Sequence, residues 1–172
     1  MKLVKSIIFG IFISIILTAC GPNEKEIIRY NDEIVLQQYA VINAETELIN
    51  AIMDNDTMII PLAMSDFIYQ IEVSLAAVQE IKEIDKEISL KEAAISMFNA
   101  YSSIAMNQYP EIIELKRLSD PEFTEDKELR LNQLSTQVNE ILDQKNMEFF
   151  ETQNKLSKKH NIAFKIYTNG QQ

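Results

Sequence analysis

Residues 26–53 read EIIRYNDEIVLQQYAVINAETELINAIM, and the spacing of their apolar residues decides the fold. Apolar pairs recur every seven positions, Ile27/Ile28, Ile34/Val35, Val41/Ile42 and Leu48/Ile49, and Ile52 and Met53 close the run. A seven-residue repeat keeps such side chains on one face of a helix, as in a bundle seam. No glycine or proline interrupts the stretch, so it predicts a helix from about Glu26 to Met53. Asn31, Gln38 and Glu45 also stand seven apart, between the apolar pairs. Residues so placed either form an internal polar layer that sets register or holds a ligand, or they flank the seam in water. We expect the solvated arrangement.

The rest of the chain repeats the theme. Asp54-Asn55-Asp56-Thr57 is a turn by composition, with side chains suited to capping the next helix. Pro61 fits a first helical turn. Met64, Phe67, Ile68, Ile71, Leu75, Val78 and Ile81 then keep helical spacing, which predicts a second helix from about Pro61 to Ile84. Ser89-Leu90-Lys91-Glu92 has the capping-box pattern and opens a third helix that reaches about Leu118. Its buried stripe is Leu90, Ala94, Met97, Phe98, Tyr101, Ile104, Ala105, Ile112 and Leu115. Pro110 removes one helix hydrogen bond and crowds the preceding turn, so a kink or short break is expected between Asn107 and Pro110. If that kink opens a pocket, Met97, Tyr101, Met106, Tyr109 and Pro110 are the residues to line it; a fold feature without a ligand is the simpler expectation.

Ser119-Asp120-Pro121-Glu122 makes another turn, and Thr124, Glu125 and Asp126 suit the positive start of a fourth helix. Its stripe is Leu131, Leu134, Val138, Ile141, Leu142, Phe149, Phe150 and Leu156. Lys158-Lys159-His160 complements its negative end and Asn161 stops it. Ile162 to Tyr167 alternates apolar and polar residues and is expected to pack as an extended tail, with 168–172 disordered. Four long helices with short connections predict an all-α protein, an antiparallel up-down-up-down four-helix bundle over 26–167 after an N-terminal signal helix.

That signal helix is read from Lys2 and Lys5, the apolar run Ser6 to Ala19 broken only by Thr18, and the ending Leu17-Thr18-Ala19-Cys20-Gly21. A positive start, a short apolar core and small residues at its end make a secretory signal. The core falls short of the roughly 20 apolar residues of a membrane span. Leu17-Thr18-Ala19-Cys20 resembles the lipobox of bacterial lipoproteins, and the chain's single cysteine stands where a lipobox needs it. The resemblance covers the signal segment alone and speaks to address rather than activity. It implies cleavage between Ala19 and Cys20, a diacylglyceryl group on the Cys20 sulfur and an N-acyl chain on the new amine. Residues 1–19 are then a signal peptide and 20–25 a lipidated tether. Two or more acyl chains hold a protein stably on a membrane. The expected location is the bacterial cell membrane or outer membrane, lipid-anchored, facing the periplasm or the outside. A looser, chain-long similarity joins Tyr30 to Val35, Tyr109 to Leu115, and Gln153 to Leu156 with Lys158 to Asn161. That pattern is similar to uncharacterised helical surface lipoproteins and implies no chemistry.

Charge and composition narrow the function. The chain carries a net charge of −10, and loss of residues 1–19 leaves 14 basic against 26 acidic residues, a net of −12. Such a surface repels nucleic acid and anionic head groups. One cysteine excludes an internal disulfide framework. One histidine, His160, has Ser157 three residues before it, so the Glu-x-x-His pairs of carboxylate metal bundles are missing, and we read it as an exposed helix-end cation. A loose calcium site among Asp54, Asp56 and Asp85 lacks the spacing and glycine of an EF-hand loop. Only Gly21 and Gly170 follow the signal segment, so no glycine-rich phosphate loop exists. The expectation is a non-enzymatic envelope lipoprotein without metal or cofactor, whose bundle meets a protein partner or acts as a spacer. The alternatives are a bundle that binds a small molecule or lipid, and a surface module that contacts a host or neighbouring cell.

Overall fold

The computed structural model describes residues 22–164, so the expected signal peptide, the expected lipidation at Cys20, the end of the expected 162–167 tail and the 168–172 segment lie outside the described residues. Four helices follow in chain order: α1 (Glu24–Met53), α2 (Ile59–Glu80), α3 (Leu90–Lys116) and α4 (Glu125–His160). No strand occurs among the described residues. Long-range bonds fix the directions. The start of α1 meets the loop after α2, where the Tyr30 hydroxyl donates to Glu83 (2.6 Å). It also meets the start of α3, where the Lys91 N–H donates to the Tyr30 hydroxyl (2.9 Å). The late part of α4 reaches back to it through Gln153 and Asn31 (2.7 Å). Neighbours are therefore antiparallel and the bundle runs up, down, up, down.

α1 follows its heptads. Ile27, Ile34, Val41 and Leu48 are buried, whereas their pair-mates Ile28 and Ile42 are half-buried and Ile49 is exposed. The helix starts earlier than Glu26. The Asn23 side chain accepts from the Glu26 N–H (3.0 Å), and the Glu26 carboxylate accepts from the Asn23 N–H (2.9 Å). This reciprocal capping box satisfies two donors at the helix start. The tether expected over 20–25 therefore yields Glu24 and Lys25 to the helix.

α2 ends four residues before the expected Ile84. Ile81 turns to extended backbone (φ −64°, ψ 127°). The Lys91 ammonium donates to the carbonyls of Gln79 (2.5 Å) and Ile81 (2.8 Å), satisfying the helix end. Ile81 and Ile84 still pack against the core, so the apolar spacing outlasts the helix. α3 runs unbroken through Pro110. Pro110 lies on the exposed side while Tyr109 and Ile112 are buried, so the packed stripe holds the helix across the missing N–H. The nine residues expected to form its stripe are all buried. In α4, Phe150 departs from its expected place and is 54% exposed.

The core centres on Phe67 of α2. Its ring stands edge-on to Tyr101 (6.1 Å, 86°) and to Tyr109 (5.9 Å, 82°). Such edge-to-face pairs add about 1 kcal/mol each beyond area burial. α1 packs closely on α2, α2 on α3 and α3 on α4, whereas α1 and α4 meet mainly through side chains. That wider side positions the site below.

Candidate functional site

The seam between α1 and α4 is polar. Asn31 and Glu45 are buried and Gln38 is half-buried, so the series on α1 points inward, contrary to the solvated arrangement expected for it. α4 answers with Asn146 and Gln153, also seven apart and running the other way. Gln153 Nε2 donates to Asn31 Oδ1 (2.7 Å). Gln38 Nε2 lies 3.4 Å from Asn146 Oδ1 and 3.7 Å from Met97 Sδ. The Tyr109 hydroxyl donates to Glu45 Oε1 at 2.6 Å. Burial pushes the Glu45 carboxyl above the ordinary carboxylate range, and the Tyr109 hydroxyl only partly offsets it. Burial likewise pushes the Tyr101 and Tyr109 hydroxyls up, and the Glu45 charge acts in the same sense.

Beside this seam lies a groove of about 430 Å³. Gln38, Asn146, Gln153 and Asn154 supply amides, and Ser157 a hydroxyl. Tyr39, Phe149, Phe150 and Phe164 supply aromatic surface. Among the described residues, none lining this groove is charged, in a chain where a quarter of the residues are. A smaller groove of about 310 Å³ opens nearer the other end of the same helices, where Tyr109 and Ile112 meet Ile49 and Leu131.

The residues named for a Pro110 pocket do not line one groove together. Met97, Tyr101 and Tyr109 are buried in the core, whereas Met106 is 65% exposed and Pro110 is exposed. Tyr109 alone of the five borders the smaller groove. α3 continues without a break at Pro110. The three acids considered for calcium are also apart. Asp54 and Asp56 follow α1, and Asp56 Oδ1 accepts from the N–H groups of Met58 (3.0 Å) and Ile59 (3.1 Å). Asp85 stands beyond the opposite end of α2.

Asp85 anchors a clamp instead. It is buried and bonded to the Lys159 ammonium (2.8 Å) and to His160 Nε2 (2.9 Å). Its Oδ1 also accepts from the N–H groups of Glu87 (3.0 Å) and Ile88 (3.1 Å). Burial pushes its carboxyl up, but Lys159, His160 and those two N–H groups outweigh it and hold it well below the usual carboxylate range. The His160 side chain is 18% exposed, so the residue expected as an exposed helix-end cation is packed onto Asp85. Among the described residues no cluster of three His, Cys, Asp or Glu could hold a metal ion.

The outer face of α2 is the second feature. Ile59, Leu62, Tyr69 and Val73 are exposed, at 46%, 61%, 64% and 40%. With Asp66 and Ala76 they alternate by three and four residues, which makes a stripe along one side of the helix. Met53 and Met58, both more than 70% exposed, extend it at the α1–α2 turn. By length and composition alone α2 is apolar enough to cross a membrane. Asp66, Glu72 and Glu80 are its only charges, all acidic. Comparison with protein-family models, curated proteins and solved structures returned no match. The described residues define an all-α four-helix bundle with an amide- and aromatic-lined groove and an exposed apolar stripe.

Proposed function

We propose that the chain is a bacterial envelope lipoprotein, anchored by acyl chains on Cys20, whose bundle is a non-enzymatic module that docks a protein partner. The observation that carries the docking is the apolar stripe of Ile59, Leu62, Tyr69 and Val73 left open on α2. An exposed apolar ridge of this kind, broken once by Asp66, suits an interaction site. The occupant that fits is a partner helix with an apolar ridge flanked by lysine or arginine. The stripe has the three-four spacing of a helix–helix seam. The charges on α2 itself, Asp66, Glu72 and Glu80, are all acidic, as is neighbouring Glu47, while Arg117 bonds the Thr57 carbonyl at the turn end of the stripe. Acids on α2 and a net charge of −12 also disfavour an anionic lipid surface as the occupant.

The geometry suits a tether. α1 starts at the lipid in this reading and rises about 45 Å at 1.5 Å per residue. Met53, Met58, Ile59 and Leu62 then sit at the end farthest from the membrane. Chemical crosslinking in intact cells, followed by mass spectrometry, tests the reading. The wild-type chain should give a reproducible partner, and a Leu62→Glu, Tyr69→Glu variant should lose it while remaining folded. A clean negative for the wild type contradicts docking. Uptake onto neutral lipid vesicles that the same variant abolishes would assign the stripe to a membrane instead.

A further inference from the structure

The acidic charge is unevenly spread along the bundle. At the end where α1 starts, Tyr30 bonds Glu83 and the Lys91 N–H, and Lys159 bonds both Asp85 and Glu87. The start of α1, the α2–α3 loop and the close of α4 therefore share one end face. That loop and the helical turns at this end hold six basic and seven acidic residues. At the opposite end, the α1–α2 and α3–α4 loops with their adjoining turns hold three basic and eight acidic residues. Most acids of the first end are already bonded. Glu26 caps α1, Glu83 accepts from Tyr30 and Ser89, and Asp85 and Glu87 accept from Lys159. Lys25, Lys82, Lys86 and Lys158, with Lys155 one turn further in, are exposed and make no hydrogen bond or ion pair among the described residues.

We infer that this end rests against anionic phospholipid head groups, with Lys25, Lys82, Lys86 and Lys158 as the contacts, and that the bundle stands upright on the bilayer. The inference rests on the lipid anchor proposed at Cys20. Because α1 begins at Glu24, only residues 21–23 separate that cysteine from the helix. Four residue steps of at most 3.6 Å keep the start of α1 within roughly 14 Å of the lipidated residue. That is comparable with the Debye length, about 8–10 Å near physiological salt, over which exposed charges feel a charged surface. Each lysine held that close to an anionic bilayer adds attraction. An ammonium meets phosphate as a point charge and needs no shaped pocket. The same surface repels the acidic far end. Both forces turn the molecule the same way, so anionic lipid orients the bundle as well as attracting it. The repulsion of anionic head groups expected from the total charge then belongs to the far end and not to this one. Upright standing keeps Met53, Met58 and Ile59 away from the bilayer, where the α2 stripe begins.

The test uses the full chain, extracted from its membranes and mixed with vesicles of phosphatidylcholine, alone or with phosphatidylglycerol. A donor dye is attached through a noncanonical residue at exposed Gln79, or at Thr124 of the far end, and the acceptor is carried on lipid head groups. Flotation with the neutral vesicles reports the anchor, and the dye-to-lipid distances report the inference. With phosphatidylglycerol present, the dye at position 79 should move nearer the lipid and the dye at position 124 farther from it. High salt should cancel both shifts. Lys82→Glu, Lys86→Glu and Lys158→Glu together should abolish them, whereas Lys116→Glu with Lys127→Glu, at the far end, should not. Helical circular dichroism confirms that each variant is folded. A chain that floats with neutral vesicles but keeps the same distances on both overturns the inference and leaves the anchor standing. Shifts that survive the triple reversal overturn the inference as well. A chain that does not float with neutral vesicles overturns the anchor reading. The inference then stands if phosphatidylglycerol vesicles capture the wild type about tenfold better than the triple variant, and falls if they do not.

Discussion

Glu45 places a carboxyl in the core, where the Tyr109 hydroxyl donates to it at 2.6 Å. Its folded pKa is raised, chiefly by burial. The sign follows from proton counting. Below the ordinary glutamate value, about 4.3, both states hold the proton. As pH rises from there, the unfolded chain ionises first, so Glu45 costs the native state stability up to neutral pH. Glu45→Gln should therefore stabilise the bundle at pH 7 by about 1 kcal/mol, and by less at pH 4, in urea denaturation. Tyr109→Phe removes the donor and should cost about 1–3 kcal/mol at pH 7. Asp85 has the opposite sign, because its folded pKa is lowered. Its contribution is present above the ordinary aspartate value and is lost as pH falls through the folded one. Asp85→Asn should cost about 2 kcal/mol at pH 7, and the gap to wild type should narrow steadily below about pH 4. Partners so remote in sequence explain why neither role was readable. Tyr109 is 64 residues from Glu45, and His160 is 75 from Asp85. The inward direction of the polar series was readable, however. Positions 27, 31, 34, 38, 41, 45 and 48 alternate by four and three, the spacing of one buried seam. Composition argued for solvent, and geometry prevailed.

At the level of the element, caps decide what periodicity leaves open. The heptads of α1 and the stripe of α3 are legible because one face is buried along their whole length. The end of α2 is not, because Ile81 and Ile84 keep packing after the helix has stopped. The stop depends on Lys91, ten residues further on, bonded to Gln79 and Ile81. Lys91→Met should cost about 1 kcal/mol, measured by urea denaturation, since it leaves those carbonyls without their partner. The stop of α4 is legible for a local reason. Asn161 adopts a left-handed backbone (φ 53°, ψ 44°) that asparagine tolerates better than most residues. Asn161→Ala should destabilise by about 1 kcal/mol, while Asn161→Gly should not, by the same measurement. The capping box expected at Ser89 forms by half. Ser89 Oγ accepts from the Glu92 N–H (3.1 Å), while the hydroxyl itself donates to Glu83 in the preceding loop.

Across the whole molecule, the all-α bundle and its topology were legible, since long periodic helices joined by short turns admit few arrangements. The α2 stripe was hidden in plain view. Ile59, Leu62, Tyr69 and Val73 are ordinary apolar residues until the fold shows that Phe67, Ile71 and Val78 fill the core side. The α1/α4 groove was less legible still, because it exists only where two helices distant in sequence stand apart. The proposed anchor belongs to this scale too. Cys20→Ala should leave an unprocessed precursor that takes up no labelled fatty acid, whereas normal processing and labelling would refute the lipobox reading. The central claim is that an anchored bundle docks a partner on α2. Its most direct test places a photo-crosslinking residue at position 62, and in a second strain at exposed Gln137 of α4, in living cells. The account predicts one discrete protein crosslinked from position 62, weakened by high salt, and none from position 137. The same background from both positions would contradict it.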